Sequence, residues 1–208
     1  MIDFLQNHWI EIFAVTTGLL YVYLQIKQNK TMWIVGFISS AVFVYILFSA
    51  QIYAQMGIYV YYVGISVYGF LKWSGYGVRG TRYGVSQQQT SDNLVTTSHL
   101  APRNLAPLIG ISVLLSIIIS LLLANFTDSP IPIIDGTIAG FSIVATWMVT
   151  QKIIQHWYFW MAINLACVVL YVSQNLYFTA VMFLVYFGMS IIGLQQWKKA
   201  LDTSLRGA

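Results

Sequence analysis

Charge is the scarcest property of this chain. Only 8% of its 208 residues are Asp, Glu, Lys or Arg, against roughly 25% in an ordinary soluble domain. With 58% hydrophobic residues, a water-solvated globule of this length is excluded, because too much apolar surface would stay exposed; a bilayer removes that problem. Cysteine is reduced to Cys167, which rules out an intramolecular disulfide and a cysteine-based zinc site and leaves a packing role. The three histidines, His8, His99 and His156, fall outside the apolar runs. No Gly-x-Ser-x-Gly, His–Glu metal motif or Walker loop occurs, so nucleophilic hydrolysis, metal-assisted hydrolysis and ATP-driven pumping lack their signatures. The expectation is a protein that is not an enzyme and carries no cofactor or metal.

What is present is apolar sequence in long stretches. A membrane-crossing helix needs about 20 mostly apolar residues, and seven stretches qualify: 9–26, 32–49, 53–73, 107–124, 132–150, 157–173 and 177–197. The N-terminus has neither a basic leader nor a small-residue cleavage site, so 9–26 reads as a retained helix. All ten Lys and Arg residues fall at the end of, or after, the first, third, fifth or seventh stretch. The positive-inside rule then places the N-terminus outside and the C-terminus in the cytoplasm. The basic pI of about 9.1 thus reports topology and not nucleic-acid binding.

Shifted by 124 positions, the chain matches itself. Trp33, Val44, Ser49, Tyr53, Tyr62, Gly64, Ser66, Gly69 and Trp73 fall on Trp157, Val168, Ser173, Tyr177, Tyr186, Gly188, Ser190, Gly193 and Trp197. Three crossings reverse direction, so an unpaired fourth helix between two copies restores the starting side. The expected fold is all-α, with seven transmembrane helices in 3+1+3 parallel repeats, the plan of a small solute carrier. Residues 1–73 form the first repeat, 74–105 a flexible cytoplasmic loop, 106–124 the linker helix, 125–197 the second repeat and 198–208 a tail. The loop is rich in Gly, Ser, Gln and Thr and lacks the apolar content to order itself.

Candidate binding groups are few. Glu11 and Asp135 coincide under the shift and form an acidic outer vestibule for a cationic solute, or simply occupy favourable helix N-termini. Trp157 and Trp160 share a helix face, with Asn164 one turn further. Tryptophans also populate interfacial belts, but Trp160 and Asn164 lie deeper. An amide there needs a partner helix or a cavity. The repeat sets Ser40 against Asn164 and Tyr62 against Tyr186, with Ser39 and Tyr59 extending that surface. Together these residues would form an aromatic pocket with hydrogen-bonding groups, suited to a flat, polar or cationic heterocycle. A non-transporting receptor or assembly factor is the competing class, distinguished by binding without flux.

These residues carry a resemblance to a family. Thr127-Asp-Ser-Pro-x-Pro-x-x-Asp135, Ser142-Ile-Val-Ala-Thr-Trp-Met148, the Trp157/Trp160 pair with Asn164, Gln51-Ile-Tyr-Ala54 and Tyr62 to Trp73 resemble the PnuC vitamin transporters. The resemblance implies a SWEET-like fold in a bacterial inner membrane, assembled as a homotrimer. It also implies facilitated diffusion of nicotinamide riboside, with uptake drawn forward by phosphorylation by a cytoplasmic kinase. Trp157, Trp160 and Asn164 are the substrate-binding positions it carries over. Members associated with nicotinamide riboside often have Asn where Ser39 stands and Gln where Tyr59 stands. Thiamine or another B vitamin is therefore the alternative cargo on the same scaffold.

Overall fold

The computed structural model describes residues 2–49, 53–75, 97–100, 102–127 and 129–206. The side chains of 2–8, 11, 53–55, 102–103 and 204–206 lie outside that description. Among the described residues seven helices follow one another: α1 (Ile2–Ile26), α2 (Thr31–Ser49), α3 (Tyr53–Trp73), α4 (Pro102–Phe126), α5 (Pro132–Thr150), α6 (His156–Ser173) and α7 (Tyr177–Arg206). Among the described residues the sole non-helical pairing is one parallel bridge, Ser98 with Ile153. Each expected apolar stretch falls in its own helix, and five helices (α2, α4, α5, α6 and α7) are long and apolar enough to cross a membrane. The protein is a multi-pass membrane protein. Runs such as Ile117-Ile-Ile119 become helix despite β-branching, because in lipid every backbone amide must bond within its own segment.

Three ends differ from expectation, the first being α1, which starts at Ile2 and not at residue 9. α4 starts at Pro102, so Pro107 lies inside it and does not open it; as the sixth helical residue it falls past the four unpaired N–H groups of the helix start and costs the helix one backbone bond. α7 runs on to Arg206, so most of the expected tail is helical. All three extensions carry polar residues and are invisible to an apolar-run criterion.

The chain divides into two compact units, Met1–Phe70 and Leu71–Ala208. In the first, α1 packs on α2. Trp33 is buried beneath Gly69, where an added Cβ would lie 2.5 Å from the indole. The Tyr21 ring meets Trp33 edge-on at 6.4 Å. α1 ends with Gln28 at φ 52°, with Gln28 N–H donating to Gln25 O (3.0 Å) and Asn29 N–H to Leu24 O (2.9 Å). This left-handed cap satisfies two carbonyls of the last turn.

In the second unit α4 lies close along α5, α5 on α6, and α6 on α7. The α4–α5 approach depends on missing side chains. A Cβ on Gly136 would sit 2.5 Å from the backbone nitrogen of Ser120, and one on Gly140 2.6 Å from that of Ser116. α5 is the most buried spanning helix and α4 the least; Val113, Leu114, Ile117, Ile118, Leu121 and Leu122 are exposed along α4, as a lipid-facing helix requires. Val144, Ala145, Met148, Ile153, Phe159, Ile163 and Cys167 form the core, so the lone cysteine packs as expected. α5 ends like α1. Lys152 has φ 51°, Lys152 N–H donates to Val149 O (2.9 Å) and Ile153 N–H to Met148 O (3.1 Å). These caps are 124 positions apart, as are the last residues of α1 and α5 and of α2 and α6.

Residues 97–100, at the end of the stretch expected to be a tether, are held against the α5–α6 turn. Ser98 N–H donates to Lys152 O (3.1 Å) and Ile154 N–H to Ser98 O (3.0 Å). The buried Gln155 side chain donates to Leu100 O (2.8 Å) and accepts from Leu100 N–H (3.2 Å).

Candidate functional site

Of the expected residues, those on α6 and α7 come together around Asn164. Its buried amide donates to Ser190 Oγ at 3.3 Å, and Ser190 donates to Tyr186 O at 2.8 Å. The α6 face therefore couples to α7 through one side-chain bond. Among the described residues, that bond to Ser190 is the sole one made by the Asn164 side chain. Tyr186 stands beside Phe183 (6.0 Å), which stacks on Tyr171 (5.2 Å). Sequence reasoning left Ser190 out of the site, although its coincidence with Ser66 under the 124-residue shift had marked it.

The two α6 tryptophans differ in their surroundings. Trp157 is fully buried: a Cβ on Gly193 would lie 2.4 Å from its ring, Trp197 crosses it at 5.9 Å, and His156 flanks it at 4.6 Å. His156 is itself fully buried and bonds to Ile153 O through Nδ1 at 2.6 Å. A carbonyl only accepts, so Nδ1 carries the proton. Trp160, one turn on, is partly exposed and packs beside the core. Both indole N–H groups are buried and have no hydrogen-bond partner among the described residues. A buried, unmatched donor costs about 1–3 kcal/mol, and such groups call for an explanation.

Below this face, α6 is fixed at its start. Trp73 donates from Nε1 to Thr150 O (3.1 Å), Lys152 Nζ sits 4.6 Å above the Trp73 ring, and Lys72 bonds to Gln151. Burial lowers the Lys152 pKa from its ordinary value. At the other end of α5, Ser129 Oγ donates to Asp135 at 2.7 Å, which fixes the carboxylate in the first turn of the helix. Glu11, its expected partner in the vestibule, lies outside the described side chains, as does Asp128.

In the first unit Tyr59 stacks on Phe43 at 4.9 Å and meets Tyr62 edge-on at 6.0 Å. Tyr62 also neighbours Tyr61 at 5.5 Å. Ser40 is buried. Ser39 shares a hydrogen bond with Thr17 of α1 at 3.2 Å, a tie between helices that its sequence neighbours did not announce. Among the described residues no group of three His, Cys, Asp or Glu side chains is placed to hold a metal.

Known proteins give this arrangement a context. A family profile for the nicotinamide mononucleotide transporters matches residues 8–199. The nicotinamide riboside transporter PnuC of Escherichia coli strain K12 is 21% identical over 215 residues, covering 91% of this chain and 84% of that protein. The PnuC of Neisseria mucosa is 22% identical over 203 residues, covering 94% and 74%. In fold, the crystal structure of a vitamin B3 transporter PnuC aligns with a TM-score of 0.71 at 21% identity, covering 97% of this chain and 85% of that one. A match spanning nearly the whole sequence places this chain in the nicotinamide mononucleotide transporter family, the PnuC family of membrane transporters.

Proposed function

We propose that the protein is a uniporter for nicotinamide riboside, moving it down its gradient while phosphorylation inside the cell removes the product. The observation that carries this reading is on α6. Trp160 presents an unmatched indole N–H, and Asn164, one turn away on the same face, has hydrogen-bonding capacity beyond its bond to Ser190. A heterocycle with polar substituents can pair with both groups, accepting from the indole N–H at the edge of the ring. Trp157 and Tyr186 complete this surface in the second half; Ser39, Ser40, Tyr59 and Tyr62 form its counterpart in the first. Relatives named as nicotinamide riboside transporters support the choice of cargo. No acidic group occupies the middle of an apolar run, which favours passive movement over obligatory proton coupling.

The finer architecture belongs to the same proposal. All seven helices cross the bacterial inner membrane, N-terminus outside, as two parallel three-helix repeats joined by α4, and the chain assembles as a homotrimer. The matching caps of α1 and α5 support that repeat. Glu11 and Asp135 draw cations to the outer mouth. Thiamine is the second reading: Ser39 and Tyr59 replace amides, the first engaged with Thr17 and the second stacked on Phe43.

The test is uptake into proteoliposomes of labelled nicotinamide riboside and labelled thiamine, without ATP or an ion gradient. Downhill entry of nicotinamide riboside, competed by unlabelled compound and lost in Asn164→Leu with folding intact, is the expected result. Entry of thiamine alone reassigns the cargo. Entry of neither, with folded protein, refutes the passive carrier.

A further inference from the structure

Within the second unit the four helices form two close pairs. Gly136 and Gly140 bring α4 and α5 together, and Gly193 seats Trp157 of α6 against α7. α5 and α6 meet more sparsely, so the seam between the pairs is where this unit yields most easily. The turn at that seam is built on Lys152, held at φ 51°, a left-handed conformation that residues other than glycine visit rarely.

A short segment fastens this turn. Ser98 N–H donates to Lys152 O at 3.1 Å, and Ser98 O accepts from Ile154 N–H at 3.0 Å. The Gln155 side chain extends the pairing to Leu100, donating to its carbonyl at 2.8 Å and accepting from its N–H at 3.2 Å. Those two bonds fix which end of the amide is which. Nε2 therefore also donates to His99 Nδ1, at 3.3 Å, and the imidazole accepts there. Gln155 thus engages its oxygen and both amide hydrogens with the segment, and it stands directly ahead of α6. The two sides of the tie are unlike. Ile153, Ile154, Gln155 and His156 are buried, whereas Ser98 and Leu100 are half-buried and His99 is exposed. Of the three segment residues, Leu100 packs against the core. A segment held mainly by hydrogen bonds near water opens locally without unfolding what it covers.

We propose that residues 98–100 are a releasable strap across the α5–α6 seam, with Gln155 as its main tie. Fastened, it holds α6 and the Trp160–Asn164 face against α5; released, it lets the α6–α7 pair move against the α4–α5 pair. The inference rests on the carrier reading above, in which this turn faces the cytoplasm and the site opens to each side in turn. Strap release then governs turnover and leaves affinity for the solute unchanged.

Pinning the strap tests this. Ser98 and Ile153 pair across a parallel bridge, a separation within disulfide reach. Ser98→Cys with Ile153→Cys is made in a Cys167→Ser background, oxidised, and the disulfide verified by mass spectrometry. Uptake of labelled nicotinamide riboside into proteoliposomes is expected to fall roughly tenfold or more on oxidation and to return on reduction, with binding by titration unchanged. Full uptake by the cross-linked protein would show that the strap need not release, and overturns the proposal. If neither the reduced variant nor the wild type carries the solute, the carrier reading fails, and hydrogen exchange decides the strap by itself. In the wild type the Ser98, Leu100 and Ile154 amides should exchange together, several times faster than those of Lys152 and Ile153, which cap α5 at the same turn. Equal rates would mean that strap and turn open only as one, and the proposal fails.

Discussion

Gly193→Ala is a one-carbon perturbation whose cost can be worked from the contact it creates. The new Cβ would lie 2.4 Å from two carbons of the Trp157 ring, more than 1 Å inside the usual carbon–carbon separation of about 3.5–4.0 Å. The indole cannot step aside, because His156 flanks it at 4.6 Å and Trp197 crosses it at 5.9 Å. Relief has to come from separating α6 and α7, which stretches the Asn164–Ser190 bond, already 3.3 Å long. Overpacking of this kind costs about 1–3 kcal/mol, equivalent to a fall in Tm of roughly 2–4 °C per kcal/mol for a chain of this size. Gly188→Ala is the control: nothing lies within 4 Å of its Cβ, and alanine favours the helix by up to about 1 kcal/mol. Thermal melts in detergent, followed by nicotinamide riboside uptake at matched folded protein, read both effects. A Gly193→Ala protein with wild-type Tm and uptake would refute the claim that this contact sets the α6–α7 spacing. Gly69→Ala, which meets Trp33 at 2.5 Å, is expected to cost a similar amount.

Three further outcomes are expected. Trp160→Phe removes an unmatched buried donor, so it holds or raises Tm while lowering affinity for nicotinamide riboside; a binding titration beside a melt separates the two, and unchanged affinity would show that the indole N–H does not meet the ligand. Gly140→Ala drives a methyl into the backbone of Ser116 and Ser112, at 2.6 and 2.9 Å. Backbone cannot rotate away, so the loss should be at least as large as for Gly193→Ala, again read as Tm. Gln155→Leu deletes both bonds to Leu100, each worth about 1 kcal/mol. Hydrogen exchange at residues 97–100 should quicken severalfold, and unchanged protection there would mean the bridge at Ser98 suffices without the amide.

The helices were legible because lipid leaves the backbone little choice: an apolar run long enough to cross must be helical, and polar residues mark where it stops. That rule fails at the starts of α1 and α4 and the end of α7, where helix continues through polar sequence. Asn164 was legible as an amide inside an apolar run, but its partner Ser190 was not, since a serine can satisfy itself on its own helix. Ser39 read as a pocket group and is found bonded to Thr17, because a pattern along one helix says nothing of the hydroxyl on the next. Trp33, Gly69 and Trp73 match Trp157, Gly193 and Trp197 because packing demands the same shapes in both halves.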